Sequence, residues 1–93
     1  MFVPLLTEFI GTLLFLYVIL SSNGDAISIG IILAGVILFG GKISGGNFNP
    51  AVSFMMYLGN KLDFTKMIFY IIAQLLGGTC ALLLYTNRNS LSS

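Results

Sequence analysis

Histidine and tryptophan are absent from this chain, cysteine occurs once, and the carboxylates number three. Without histidine, a His-assisted nucleophile and a Cys/His metal cluster both lack members. The single Cys80 builds neither a disulfide framework nor a thiol pair, and within an apolar run it reads as a small packing residue. Charge is scarce too. Charged residues make up 8% of the 93 residues (Glu8, Asp25, Lys42, Lys61, Asp63, Lys66 and Arg88), too few to coat a water-exposed globule. A net charge of +1 gives no basic stripe for nucleic acid. An enzyme is therefore not expected, and neither a metal nor an organic cofactor is implied.

What the chain has instead is apolar surface: 57% of its residues are hydrophobic, and the mean hydropathy is +1.02. That composition belongs to a chain whose main solvent is lipid. Apolar runs at 2–20, 26–41 and 67–85 each approach the ~20 residues that a spanning helix needs. The middle run is short, but Lys42 can snorkel at its end. Residues 21–25 (Ser-Ser-Asn-Gly-Asp) suit a tight connection, and Asp63 is a good N-cap for the last helix. A secretory signal fits the N-terminus poorly, because no basic residue precedes the apolar run and Glu8 lies inside it. The expectation is an all-α, multi-pass integral membrane protein with spans at about 4–21, 26–43 and 64–86. A polar tail at 87–93 is expected to fray.

The segment between the second and third spans is different. Gly45-Gly46 and Asn49-Pro50 break helix, and helix is expected to resume at Pro50, which has no N–H to leave unpaired. Asn49 is a strong N-cap, and Gly59 is a natural stop. Nine residues from Pro50 make a helix of ~14 Å, about half the hydrocarbon core, so the segment at about 44–59 predicts a re-entrant loop and half-helix. With its oxygen capping the helix, Asn49 would turn its amide NH2 outward as a donor. The helix end adds partial positive charge, which favours a neutral molecule's oxygen and opposes a cation. An ordinary Asn-Pro turn before a surface helix is the plain alternative. Gly45 and Gly46 would let the preceding strand run extended, with the carbonyls of Ser44, Gly45, Gly46 and Asn47 as a ladder of acceptors.

Glu8 is a carboxylate inside a span, with Thr12 one turn later on the same face. No titratable neighbour suggests a proton relay. Glu8 is expected to accept from backbone N–H groups of the re-entrant loop, with Gln74 as a second support; snorkelling to the interface is the alternative. Small residues recur at helical spacing (Ala26, Gly30, Ala34 and Ala73, Gly77, Ala81) and suit close helix packing.

Taken together, Glu8-Phe-Ile-Gly-Thr12, then Ile43-Ser-Gly-Gly-Asn-Phe-Asn-Pro-Ala-Val-Ser53, then Tyr70-Ile-Ile-Ala-Gln-Leu-Leu-Gly-Gly78 resemble the first repeat of the aquaporin and glycerol-facilitator family. The resemblance runs from about Leu6 to Leu84 and implies an aquaporin-like half repeat. In that family two inverted repeats bring two Asn-Pro-Ala motifs face to face at the midplane. It implies that Asn49, Pro50, Ala51 and Val52 line a path with residues 44–47, and that Glu8 and Gln74 support the loop. Two departures matter: a second repeat is not seen, and Val52 follows the motif where the family's second motif carries an Arg. Ile29 falls where the family often has an aromatic filter residue.

The expected function is passive conduction of water, or of small neutral solutes such as glycerol, through a pore built from more than one chain. An antiparallel homodimer, clustering further, is the expected assembly. The leading alternative is a non-conducting half-channel subunit that completes or regulates a separate partner. An ion channel is disfavoured, since no ring of charge lies near the loop.

Overall fold

The structure, a computed structural model, describes residues 1–92. The chain folds into α1 (Phe2–Ser21), α2 (Ala26–Ser44), α3 (Pro50–Leu58), α4 (Phe64–Thr86) and a short α5 (Arg88–Ser92), with no strand among the described residues. α1, α2 and α4 are each long and apolar enough to cross a membrane. At ~1.5 Å per residue they measure ~28–35 Å, whereas α3, with nine residues, reaches only ~14 Å. The fold is thus an all-α membrane architecture of three spans and one half-length helix.

Local chemistry explains most of the boundaries. Pro4 sits in the first turn of α1, where backbone N–H groups have no intrahelical partner to lose. Asp25 caps α2 by accepting from Ser28 N–H at 2.8 Å, and Asp63 caps α4 by accepting from Lys66 N–H at 2.7 Å. Gly59 ends α3 but keeps an ordinary φ of −85°. The left-handed residue of that stop is Asn60, φ 61°. Asn tolerates this region because its short polar side chain can bond locally. The tail expected to fray is helical as far as Ser92. Arg88 donates to the Tyr85 carbonyl at 2.7 Å and lies over the Tyr85 ring, which ties the turn down. Ser93 lies outside the described residues.

α1 is the central element, packed against both α2 and α4, while α3 rests on α4. The two small-residue stripes have different fates. Ala73, Gly77 and Ala81 are buried against α1, and a Cβ on Gly77 would lie 2.6 Å from the Phe9 carbonyl oxygen. Ala26, Gly30 and Ala34 on α2 face outward. The interior is correspondingly small, and many large apolar side chains, Leu38 and Phe39 among them, are exposed. Such a surface is stable in lipid and costly in water.

Candidate functional site

Glu8 is fully buried, and its two oxygens receive four donors. Oε1 accepts from Phe48 N–H at 2.7 Å and from the Gln74 side-chain amide at 2.8 Å. Oε2 accepts from the Ser44 hydroxyl at 2.6 Å and from Asn47 N–H at 3.0 Å. A carboxylate that only accepts, with every lone-pair direction answered, suits burial at membrane depth. Glu8 therefore joins α1 to the last residue of α2, to the loop and to α4.

The loop expected to run extended is instead curled. Gly45, with φ 91° and ψ −9°, ends α2 in the left-handed conformation, and Gly46 and Phe48 also have positive φ, 66° and 54°. An extended chain would point successive N–H groups to opposite sides. The left-handed residues gather those of Asn47 and Phe48 onto Glu8, while that of Gly46 goes to the Ser44 hydroxyl at 3.2 Å. For Phe48, positive φ carries a steric cost that Gly46 does not bear. Its ring offsets that cost by being 1% exposed, seated where Gly11 and Gly40 leave room. A Cβ on Gly40 would lie 2.9 Å from that ring, and one on Gly11 would run into it.

Ser53, in the first half of α3, forms a second buried junction. Its hydroxyl oxygen accepts from the Asn47 amide at 3.0 Å and from the Gln74 amide at 2.8 Å. Tyr70, 2% exposed, donates to the Ser44 carbonyl at 2.7 Å. The Ser44 carbonyl thus already holds one donor, and its hydroxyl is engaged within the chain. Among the described residues no donor reaches the carbonyls of Gly45, Gly46 or Asn47. Sequence reasoning missed Phe48, Ser53 and Tyr70. The signal for Ser53 was its place one turn after Asn49; a lone apolar Phe and a Tyr in a span gave none.

Asn49 caps α3 through Oδ1, which accepts from Ala51 N–H at 2.8 Å, and the residue is exposed. Its Nδ2 has no partner among the described residues. Ala51 is exposed, and Pro50 and Val52 are half-buried. Ile29 is not brought to this cluster: it stands in the first turn of α2, ~22 Å along the helix from Ser44.

A family model described as Major intrinsic protein matches residues 2–92. The chain is similar to Aquaporin PIP1-1 of Oryza sativa subsp. japonica, 35% identical over 81% of this chain and 32% of the relative. It is also similar to Aquaporin PIP2-5 of the same organism, 36% identical over 85% of this chain and 36% of the relative. A third relative, Probable aquaporin PIP-type 7a of Pisum sativum, is 39% identical over 81% of this chain and 32% of the relative. The chain thus spans about a third of the length of the curated relatives it matches. No solved structure matches it.

Proposed function

Since the chain belongs to the major intrinsic protein family, we propose that it builds one half of a passive transmembrane path for water. The observation that carries this reading is the tip of α3. There Asn49 commits Oδ1 to the helix cap and leaves its amide NH2 exposed as a donor beside a helix N-terminus. A donor in that field binds the oxygen of a neutral molecule and repels a cation. In this reading Asn49, Pro50, Ala51 and Val52 line the path, and the unengaged carbonyls of Gly45, Gly46 and Asn47 supply acceptors. Glu8 and Gln74 hold the loop in shape. With Val52 after the motif and Ile29 at the far end of α2, the mouth is apolar and uncharged, which also admits small neutral solutes such as glycerol.

A half-helix of ~14 Å ends near the midplane, so a complete path needs a second one from the other side. An inverted copy of the same chain is the simplest source, giving an antiparallel dimer with its two-fold axis in the membrane plane. With the N-terminus cytoplasmic, Lys42, Lys61 and Lys66 lie inside and Arg88 outside, a bias weak enough for insertion in both orientations. The outward stripe of Ala26, Gly30 and Ala34 offers close contacts for further clustering.

Osmotic swelling of liposomes holding the purified chain tests the reading. Swelling without ion current is expected, lowered by Asn49→Ala and abolished by Ala51→Trp, whose bulk fills the path. Unchanged swelling in both variants at equal protein would remove the loop from the path, and ionic current would replace it with an ion channel. Silence rescued by a complementary chain would move the assignment to a half-channel subunit of a separate partner. Labelling a single Cys at the tail from each side of intact membranes reads the topology: two-sided labelling is expected, and one-sided labelling excludes the inverted homodimer.

A further inference from the structure

Between α1 and α2, on the side where no half-helix packs, lies an open groove of about 530 Å³. Its walls are α1 from Val3 to Leu14 and α2 from Ile32 to Phe39, with the Phe48 ring between them. Nothing polar is on offer along it. The one hydroxyl in the walls, that of Thr7, returns to the Val3 carbonyl at 2.8 Å. A Cβ on Gly35 would meet nothing within 4 Å, so the missing side chain there is part of what keeps the groove open.

The length of the groove and the charge at its end say what it fits. From Val3 to Leu14 α1 rises ~17 Å, a little more than one leaflet of a ~30 Å hydrocarbon core. Thr7 lies against Gly40, which sets Leu14 and Ile32 at nearly one depth near the midplane, and there the lining ends. A spanning helix of another chain needs a groove through both leaflets, whereas an apolar groove confined to one leaflet matches a single acyl chain. Lys42 stands three residues beyond Phe39 on the same face of α2, in its last turn. It is exposed and has no partner among the described residues, and its stem carries the ammonium to the level of the lipid headgroups. No carboxylate competes for it: Glu8 is buried among its own donors, and Asp63 is spent on capping α4. We propose that this groove seats one acyl chain of an anionic phospholipid, with the Lys42 ammonium on the headgroup phosphate. A zwitterionic headgroup carries its own cation beside the phosphate, so the anionic lipid gains more from Lys42. The site lies on the α1–α2 side, whereas α3 rests on α4, and it stands whether or not two halves pair.

The chain has no tryptophan, so Phe39→Trp installs a single reporter on the groove wall. The full chain carrying it is placed in vesicles of equal parts phosphatidylglycerol and phosphatidylcholine, with bromine on the acyl chains of one lipid or the other, and quenching of the reporter gives the relative affinity. Phosphatidylglycerol is expected to be favoured about fivefold, the worth of one lysine beside an anionic headgroup. Lys42→Gln should erase the preference. Gly35→Leu, which fills the groove from a position where a Cβ meets nothing, should erase it too at an unchanged unfolding midpoint in detergent, and the milder Gly35→Ala should reduce it partway. A preference that survives Lys42→Gln removes the lysine from the site and overturns the proposal. One that is lost with Lys42→Gln but stays whole in both Gly35 variants leaves charge attraction at the surface with no seated chain, and overturns it as well. Equal quenching by the two lipids in the reporter chain does the same. Weak quenching by both would show the groove covered by protein, and a second copy would replace the lipid as its occupant.

Discussion

α2 is entered through the turn at residues 22–25 and left through the loop at residues 45–49, and the two connections use similar local geometry with opposite means of support. Both contain left-handed residues, Asn23 and Gly24 in the first and Gly45, Gly46 and Phe48 in the second, and both end on a side-chain cap. In the turn every side-chain bond is local. Asp25 accepts from the N–H and the hydroxyl of Ser28, and Ser22 accepts from Asp25 N–H, all within three residues. In the loop the decisive acceptor, Glu8, comes from 39 to 40 residues away, and Tyr70 reaches back 26 residues to Ser44. The difference follows from the solvent. An exposed turn can leave its remaining polar groups to water, whereas the buried N–H groups of a loop among apolar helices need partners inside the protein.

The largest expected break in that comparison is Glu8→Ala. It strands the N–H groups of Asn47 and Phe48 and one N–H of Gln74, each costing ~1–3 kcal/mol when buried and unpaired, while the Ser44 hydroxyl keeps only its longer bond to the Gly40 carbonyl at 3.3 Å. The unfolding midpoint in detergent should fall far more than for Asp25→Ala. Equal falls would mean that Glu8 sits at the interface and the loop does not depend on it. Next comes Gly77→Val, whose Cβ meets the Phe9 carbonyl and the Leu13 N–H, backbone that cannot swing aside. Overpacking of this kind costs ~1–3 kcal/mol. Because it pushes apart α1 and α4, amide exchange should quicken at Asn47 and Phe48 and stay unchanged at Ser28.

Asn49→Ala removes a cap worth ~0.5–2 kcal/mol and should loosen the first turn of α3, read as faster exchange at Ala51, without disturbing Asn47 and Phe48. Loss of protection across the whole loop would show that the cap, and not Glu8, organises it. The smallest effect belongs to Asp25. The Ser28 hydroxyl first, and the Ser28 N–H second, hold its carboxyl below the usual carboxylate range. A carboxyl with a lowered folded value stabilises fully above its unfolded value, and that contribution fades as pH falls through the lower folded one. Protection of Ser28 N–H should therefore persist at pH 5 and decline only below about pH 4, the ordinary carboxylate region. A decline near pH 6 would separate this turn from the titration of Asp25.

Much of this protein is written in one dimension. The three spans follow from apolar runs, the half-length of α3 from Asn49-Pro50 and the stop after Leu58, and the caps at Asp25, Asn49 and Asp63 from residue types whose oxygens reach a nearby N–H. These are legible because their partners lie within three residues. Tertiary structure decided the rest. Two glycines before Asn47-Phe48 permit an extended strand or a left-handed curl equally, and only a carboxylate arriving from α1 selects the curl. Phe48 is indistinguishable in the sequence from a lipid-facing side chain until Gly11 and Gly40 open a place for its ring. Of two similar small-residue stripes, the one on α4 is buried and the one on α2 is not, because α1 packs along the first and, among the described residues, no element covers the second. Sequence determines what a segment can do with its neighbours along the chain; which polar groups are left without a partner depends on how the helices meet.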